Sequence, residues 1–417
     1  METPFYDLLI RNGRLLGESQ LMNIGIVGGQ ISTIAPHLPH QATETIDVQG
    51  KFVSAPFVES HVHLDSAHTA GEPRWNESGT LFEGIQIWGD RKQNLTREDV
   101  KDRALKTLRQ QASQGVLWVR SHVDISEPGL NALKALLEVR EAVKSWMTLQ
   151  IVAFPQDGIY SRPENERLLE QALEMGADVV GGIPHYELTR EDGVKSVERV
   201  FELAQKYDCL IDFHCDEIDD DQSRFLEVVS ACAIRTGLGE KVTASHTTAF
   251  GSYNNAYAYK LMGFLDRSQI NFIANPLINI TLQGRTDTYP KRRGVTRVKE
   301  LWQRGLNVSL GHDCIQDPWY SLGTGNMLEV ANMAVHICQM TGRSEINACY
   351  DMVTKNGAKT LNCSASYGVE VGKPANLIVL DAESPYETIC KRATVVYVVA
   401  QGKLLATTTA PQVRWLG

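Results

Sequence analysis

From residue 57 to about residue 313 the chain repeats one alternation: a short apolar run of strand length, then a segment of ten to eighteen residues with helical spacing of its apolar positions. Eight such runs fall at 57–64, 116–124, 149–155, 179–185, 209–215, 241–247, 270–276 and 307–313. The segments between them keep apolar residues on one helical face, as in Val100, Ala104, Leu105, Leu108 and Ala112, or Val197, Val200, Phe201 and Ala204. Eight strand–helix units predict an α/β protein built on a closed (β/α)8 barrel, with the functional site at the C-terminal ends of the strands. An open doubly wound sheet would scatter along an edge the His, Asp, Gln and Glu residues that six of the eight strands carry near those ends. A barrel brings them together.

The flanks have a different texture. Residues 3–56 read as short strands joined by glycine turns, and the last 50 residues read the same way, with AlaAsnLeuIleValLeuAsp and ThrValValTyrValValAla as the clearest runs. The expectation is one small β-domain made from both chain ends, residues 1–55 plus 368–417, beside a catalytic barrel of 56–367.

The run from Phe57 to Asp65 ends in two histidines one residue apart. Side chains alternate along a strand, so His61 and His63 point the same way and can grip one metal ion between them. Later strand ends contribute Gln156, His214 with Glu217, His246 and Asp313. A catalytic metal site needs about three or four protein ligands and an open position, which His61, His63, His214 and Asp313 would supply. An isolated pair of this kind often satisfies core hydrogen bonds instead. Here histidines 61, 63, 122, 185, 214 and 246, among the eleven, fall in or just after a barrel strand, and that repetition favours the metal. A divalent ion brings the pKa of its water from 15.7 to about 7. Glu217, three residues past His214, is then placed to carry a proton from water to substrate, although a glutamate in an acidic turn can also be a plain helix cap. His246 and Asp313 would orient and polarise the attacking water.

Composition narrows the partners. A net charge of -9 argues against general affinity for nucleic acid or an anionic membrane, and the LysArgArg run at 291–293 reads as a solvated loop. No stretch approaches 18 uninterrupted apolar residues and the N-terminus shows no leader pattern, so the expected location is the cytoplasm. Eight cysteines without a CxxC spacing read as reduced, mostly buried thiols.

GluSerHisValHisLeuAsp at 59–65, SerGlyThrLeuPheGluGlyIle at 78–85, AlaPheProGln at 153–156, HisCysAspGluIleAspAspAspGlnSerArg at 214–224, AlaSerHisThrThr at 244–248, AsnProLeuIleAsnIle at 275–280, LeuGlnGlyArgThrAspThrTyrProLysArgArgGly at 282–294 and AspProTrpTyr at 317–320 together resemble the bacterial cytosine deaminases of the amidohydrolase superfamily. The resemblance spans almost the whole chain. It implies a distorted (β/α)8 TIM barrel with a small β-sandwich from both termini, one Fe(II) or Zn(II) ion, a free pyrimidine base as substrate and a homo-oligomer. Its metal ligands match His61, His63, His214 and Asp313, its proton shuttle Glu217 and its activating histidine His246. Its substrate-holding glutamine matches Gln156, whose amide offers the donor and acceptor that the O2 and N1–H edge of cytosine requires. Trp319 and Phe154 would be pocket walls, with ordinary core packing the stronger alternative for Phe154. No lysine closes the fourth strand, where two-metal members of the superfamily carry one, which favours a single ion.

One position departs from the pattern: the cytosine deaminases carry a second aspartate where this chain has Cys314. The resemblance puts that side chain near C5 of the pyrimidine. Replacing a hydrated carboxylate by a small apolar thiol removes a desolvation cost and frees space, so 5-methylcytosine, giving thymine, is an expected substrate beside cytosine. The competing readings are deamination of isoguanine or a creatinine-like ring, opening of a cyclic amide, or a metal-stabilised scaffold that binds a base without turnover. Glu217 argues against the last, since a structural site needs no free carboxylate beside an open metal position.

Overall fold

A computed structural model of the chain describes residues 5–39 and 41–415, so residues 1–4, 40, 416 and 417 of the expected terminal domain lie outside it. Eight parallel strands pair in chain order: β6 (Phe57–Val62), β7 (Val116–Asp124), β8 (Thr148–Phe154), β9 (Val179–Gly182), β10 (Leu210–Cys215), β11 (Val242–His246), β12 (Asn271–Ala274) and β13 (Val308–Leu310). Their numbering follows five earlier strands described below. Every residue of β6, β7, β9, β11, β12 and β13 is buried. Helices bury the outer face of these strands and the barrel interior buries the inner one, so polar residues such as Glu59, Arg120, His122 and Ser245 are enclosed with the apolar ones. The ring closes past the end of β13, where the Asp313 N–H donates to the His61 carbonyl at 2.8 Å and the His63 N–H donates to the Asp313 carbonyl at 3.0 Å.

The last two strands are shorter than the apolar runs suggest. Pro276 begins a helix directly after β12, and regular pairing along β13 stops at Leu310, with only an isolated bridge from Asp313 to Val62 beyond it.

The chain ends form two sheets. β1 (Tyr6–Gly13), β2 (Met22–Val27), β3 (Gln30–Ala35) and β4 (Ala42–Asp47) order as β3-β2-β1-β4, with β4 parallel to β1. β5 (Phe52–Ser54) instead joins β14 (Leu377–Leu380), β15 (Val395–Ala400) and β16 (Lys403–Thr407) in the order β16-β15-β14-β5. One sheet is therefore built from N-terminal strands alone, and the other combines β5 from the N-terminal end with three C-terminal strands. They share a core: Leu8, Ile10, Ile24, Ile26 and Ile31 from the first pack with Leu377, Val379, Val396 and Val399 from the second, apart from the larger barrel core. No helix among the described residues is long and apolar enough to cross a membrane.

Below the site the barrel interior is polar. Arg120 on β7 is fully buried and donates from Nη1 to Asp212 Oδ2 on β10 at 2.8 Å, from Nε to Gln150 Oε1 at 2.6 Å and from Nη2 to the Thr360 carbonyl at 2.8 Å. Breaking a buried pair by removing one partner leaves an uncompensated charge, a loss of about 3–5 kcal/mol. Arg120→Met is therefore expected to lower the urea-unfolding free energy by that amount, and adding Asp212→Asn should recover much of it. A loss below about 1 kcal/mol would show that the pair does not hold the barrel.

Candidate active site

The closing hydrogen bonds between β6 and Asp313 converge three of the expected ligands. Asp313 Oδ1 lies 3.7 Å from His61 Nε2 and 3.5 Å from His63 Nε2. From β10, His214 brings its Nε2 to 3.2 Å from His63 Nε2. His246, at the end of β11, sits with Nε2 3.7 Å from Asp313 Oδ2. His246 and Thr247 both take left-handed backbone, φ 66° and 44°, so the chain turns sharply as β11 ends. Backbone of this kind in non-glycine residues concentrates at functional sites.

A cation fits this cluster. Ligand atoms of His61, His63 and His214 all lie within 4.8 Å of one another, and so do those of His61, His246 and Asp313. The Ser245 hydroxyl donates to Asp212 Oδ1 at 2.6 Å, so at 3.1 Å it can only accept from His61 Nδ1–H. That fixes the tautomer of His61 and leaves the lone pair of Nε2, a buried atom with no hydrogen-bond partner, facing the cluster. Burial holds His61, His214 and His246 well below the ordinary imidazole value, with neighbouring imidazoles adding to the shift, and holds His63 at about 4. The rings are neutral and their lone pairs available. Three imidazoles and a carboxylate suit Zn(II) or Fe(II).

Glu217, just past β10, is buried with Oε1 3.1 Å from His246 Nδ1. Burial, then the nearby Asp313, pushes its carboxyl well above the ordinary range; burial and Asp317 do the same to Asp313. Two neighbouring asparagines that the sequence reading did not single out brace the imidazole of His246. The amide nitrogen of Asn279 lies 3.0 Å from its Nδ1 and that of Asn275 3.3 Å from its Nε2. Both belong to the AsnProLeuIleAsnIle motif, which was the available signal. The acidic turn after His214 also has a structural part: Asp216 accepts from the Phe225 N–H at 3.0 Å and the Leu226 N–H at 2.8 Å, capping helix Phe225–Thr236.

A cavity opens over the cluster. His63, His214, Glu217, His246 and Asp313 line its polar side, and Gln156, Cys314 and Trp319 also reach it. Phe154 does not. It is fully buried and stacks on the His214 ring with centroids 3.9 Å apart and planes 18° apart, so it supports a ligand histidine rather than walling the pocket. His122 lies outside the lining as well, its ring 3.9 Å from that of His61, whereas His185 reaches the cavity. Cys314 is buried among Ile278 and Leu282, with Leu81, Trp319 and Tyr320 packed against them. Its Sγ donates to Asp313 Oδ1 at 3.6 Å, and burial with the charges of Asp313 and Asp317 keeps the thiol far above its ordinary value, hence protonated. Leu81 and Ile85 come from α1 (Leu81–Lys92), capped by the Thr80 hydroxyl, which accepts from the Glu83 N–H at 3.2 Å. Those two were missed because they sit on an excursion between β6 and β7 and not at a strand end.

The model of the amidohydrolase family matches residues 44–406. The chain belongs to the amidohydrolase family. Among solved amidohydrolase structures it is similar to 5-methylcytosine deaminase from Klebsiella pneumoniae, solved with 5-fluorocytosine: 49% identity, a TM-score of 0.95, and coverage of 98% of this chain and 99% of that one. It is also similar to N-isopropylammelide isopropylaminohydrolase from Burkholderia multivorans, at 26% identity and a TM-score of 0.82 over 96% of this chain and 98% of that one. N-isopropylammelide isopropyl amidohydrolase from Pseudomonas sp. strain ADP is 30% identical over 406 residues, 96% of this chain and 97% of its own length.

Outer-shell partners of a ligand histidine are typically worth 10–100-fold in metal affinity. Ser245→Ala should therefore weaken binding of a divalent ion about 10–100-fold in a chelator-competition titration. Ser245→Thr, which keeps the hydroxyl, should weaken it far less. Equal affinities for all three proteins would contradict the tautomer assignment.

Proposed function

We propose that this protein is a metal-dependent deaminase of free cytosine-type bases, converting 5-methylcytosine to thymine as well as cytosine to uracil. The observation that carries the reading is the composition of one cavity: the histidine–aspartate cluster, a buried carboxylate at Glu217, an amide at Gln156 and an apolar corner at Cys314. The 49% identity to an enzyme named 5-methylcytosine deaminase supports it.

In this reading His61, His63, His214 and Asp313 hold one Fe(II) or Zn(II) ion, which would supply Lewis-acid polarisation and an acidified water at neutral pH. Gln156 fixes the base by pairing its amide with O2 and N1–H. Glu217 takes the proton of the attacking water and delivers it to N3 as the new C4–O bond forms. His246, braced by Asn275 and Asn279, orients the water. Glu217 then takes the remaining proton from the C4 hydroxyl and passes it to the amino group, the C4–N bond breaks as the C4 carbonyl forms, and ammonia leaves. The thiol of Cys314 takes no part in bond making; with Ile278 and Leu282 it gives a C5 methyl an apolar seat. One methyl in such a seat is worth about 1–3 kcal/mol, enough to shift preference without excluding cytosine. We further propose that the protein works as a homo-oligomer.

Glu217→Gln should still bind either base while ammonia release falls at least about 100-fold, the lower range for losing a positioned proton carrier. Cys314→Asp should lower kcat/KM for 5-methylcytosine relative to cytosine by at least about tenfold. An unchanged ratio would remove Cys314 from the account of specificity. Should the metal-loaded protein release ammonia from neither base, the reading fails, and N-isopropylammelide, named for the Pseudomonas relative, becomes the next substrate to assay.

A further inference from the structure

Gly84 lies in the second turn of α1 and is buried, an unfavourable place for glycine because alanine is the better helix former. Its backbone φ is not left-handed, so no conformational need explains it. What explains it is Trp319. A Cβ on Gly84 would lie 2.3 Å from Trp319 Cδ1, 2.6 Å from Nε1 and 2.8 Å from Cγ, far inside contact distance. The pyrrole edge of the indole is seated directly on the helix backbone. Another part of the same side chain faces the cavity and packs against the cluster of Ile278, Leu282 and Cys314. Trp88 occupies a further side, its ring centroid 6.3 Å away. The backbone N–H of Trp319 donates to Asp317 Oδ1 at 3.0 Å, which anchors the main chain. The indole borders the space beside Cys314 on one side and a separate outer cavity lined by Trp75, Asn76, Arg285 and Tyr320 on another, so a shift off α1 toward the first takes room from that corner.

We infer that Gly84 is a specificity-determining positioning residue: by letting Trp319 lie against α1 it sets the depth of the apolar corner that receives a substituent at C5 of the base. The inference rests on the deaminase reading above and adds to it a second position, remote from the substrate, that controls which bases fit. Cys314 determines the polarity of the corner, and Gly84 acting through Trp319 determines its size. A methyl added at Gly84 is lost from the corner, so 5-methylcytosine suffers and cytosine, with hydrogen at C5, is largely spared.

The test compares the wild-type holoenzyme with Gly84→Ala, Trp319→Phe and the double variant. Readouts are kcat/KM for cytosine and 5-methylcytosine, and competitive inhibition by the products uracil and thymine, which are bound without turnover. Gly84→Ala should lower the 5-methylcytosine to cytosine ratio at least tenfold and weaken thymine inhibition more than uracil inhibition. Adding Trp319→Phe, which removes the clashing pyrrole edge, should restore most of both ratios. Trp319→Phe alone enlarges the corner and should raise turnover of 5-ethylcytosine relative to 5-methylcytosine, which keeps the inference testable if Gly84→Ala does not fold. Ratios unchanged in Gly84→Ala, an equal fall for both bases, or no gain for 5-ethylcytosine in Trp319→Phe would each overturn it. Absence of deamination in the wild type would instead defeat the proposed function, and an unchanged thymine to uracil affinity ratio in Gly84→Ala, measured by calorimetric titration, would then still overturn the inference.

Discussion

Two backbone hydrogen bonds hold the rest of this structure in place: Asp313 N–H to the His61 carbonyl and His63 N–H to the Asp313 carbonyl. They close the barrel between its first and last strands, and in the same stroke they bring two imidazoles to one carboxylate oxygen. A buried glutamate reinforces the seam. Glu59 Oε1 accepts from the His61 N–H at 3.2 Å and from the His312 N–H at 2.9 Å, while Gln111 donates to Oε2 at 3.3 Å. Burial pushes this carboxyl up to about 8. Barrel closure and ligand geometry thus rest on the same few atoms.

Low dielectric surroundings set the chemistry that follows. Burial disfavours charge throughout the site, holding the histidines down and Glu217 and Asp313 up, so the imidazole lone pairs are poorly occupied by protons. A divalent ion answers that arrangement. Beneath it, Arg120, Asp212 and Ser245 form a continuous hydrogen-bonded chain ending on His61 Nδ1, so the orientation of one ligand is tied to a buried ion pair in the barrel interior. Polar groups buried this deeply are costly when unpaired, and each link in the chain constrains the next.

Much of this was legible in the chain. Alternation placed His61 and His63 on one face, and the strand-end positions of His214, His246 and Asp313 put them at one mouth. Period, however, reports which face a residue takes and not how deep it lies. Period therefore left Phe154 open between pocket wall and core, and it stacks behind His214. Residues supplied by excursions between strands carry no such register, which hid Leu81, Ile85 and the seat of Trp319 on Gly84. The terminal strands showed their β character and their common core, but which strand pairs with which depends on long-range contacts, and β5 leaves its sequence neighbours to join β14.

One cavity gathers the histidine–aspartate cluster, Glu217, Gln156 and an apolar corner at Cys314, and in the proposed function that corner receives the methyl group. The most direct measurement is a competition: equal concentrations of cytosine and 5-methylcytosine given to the metal-loaded protein in one vessel, with uracil and thymine quantified over the first turnovers. The account predicts thymine forming at least as fast as uracil. Uracil forming alone would contradict it.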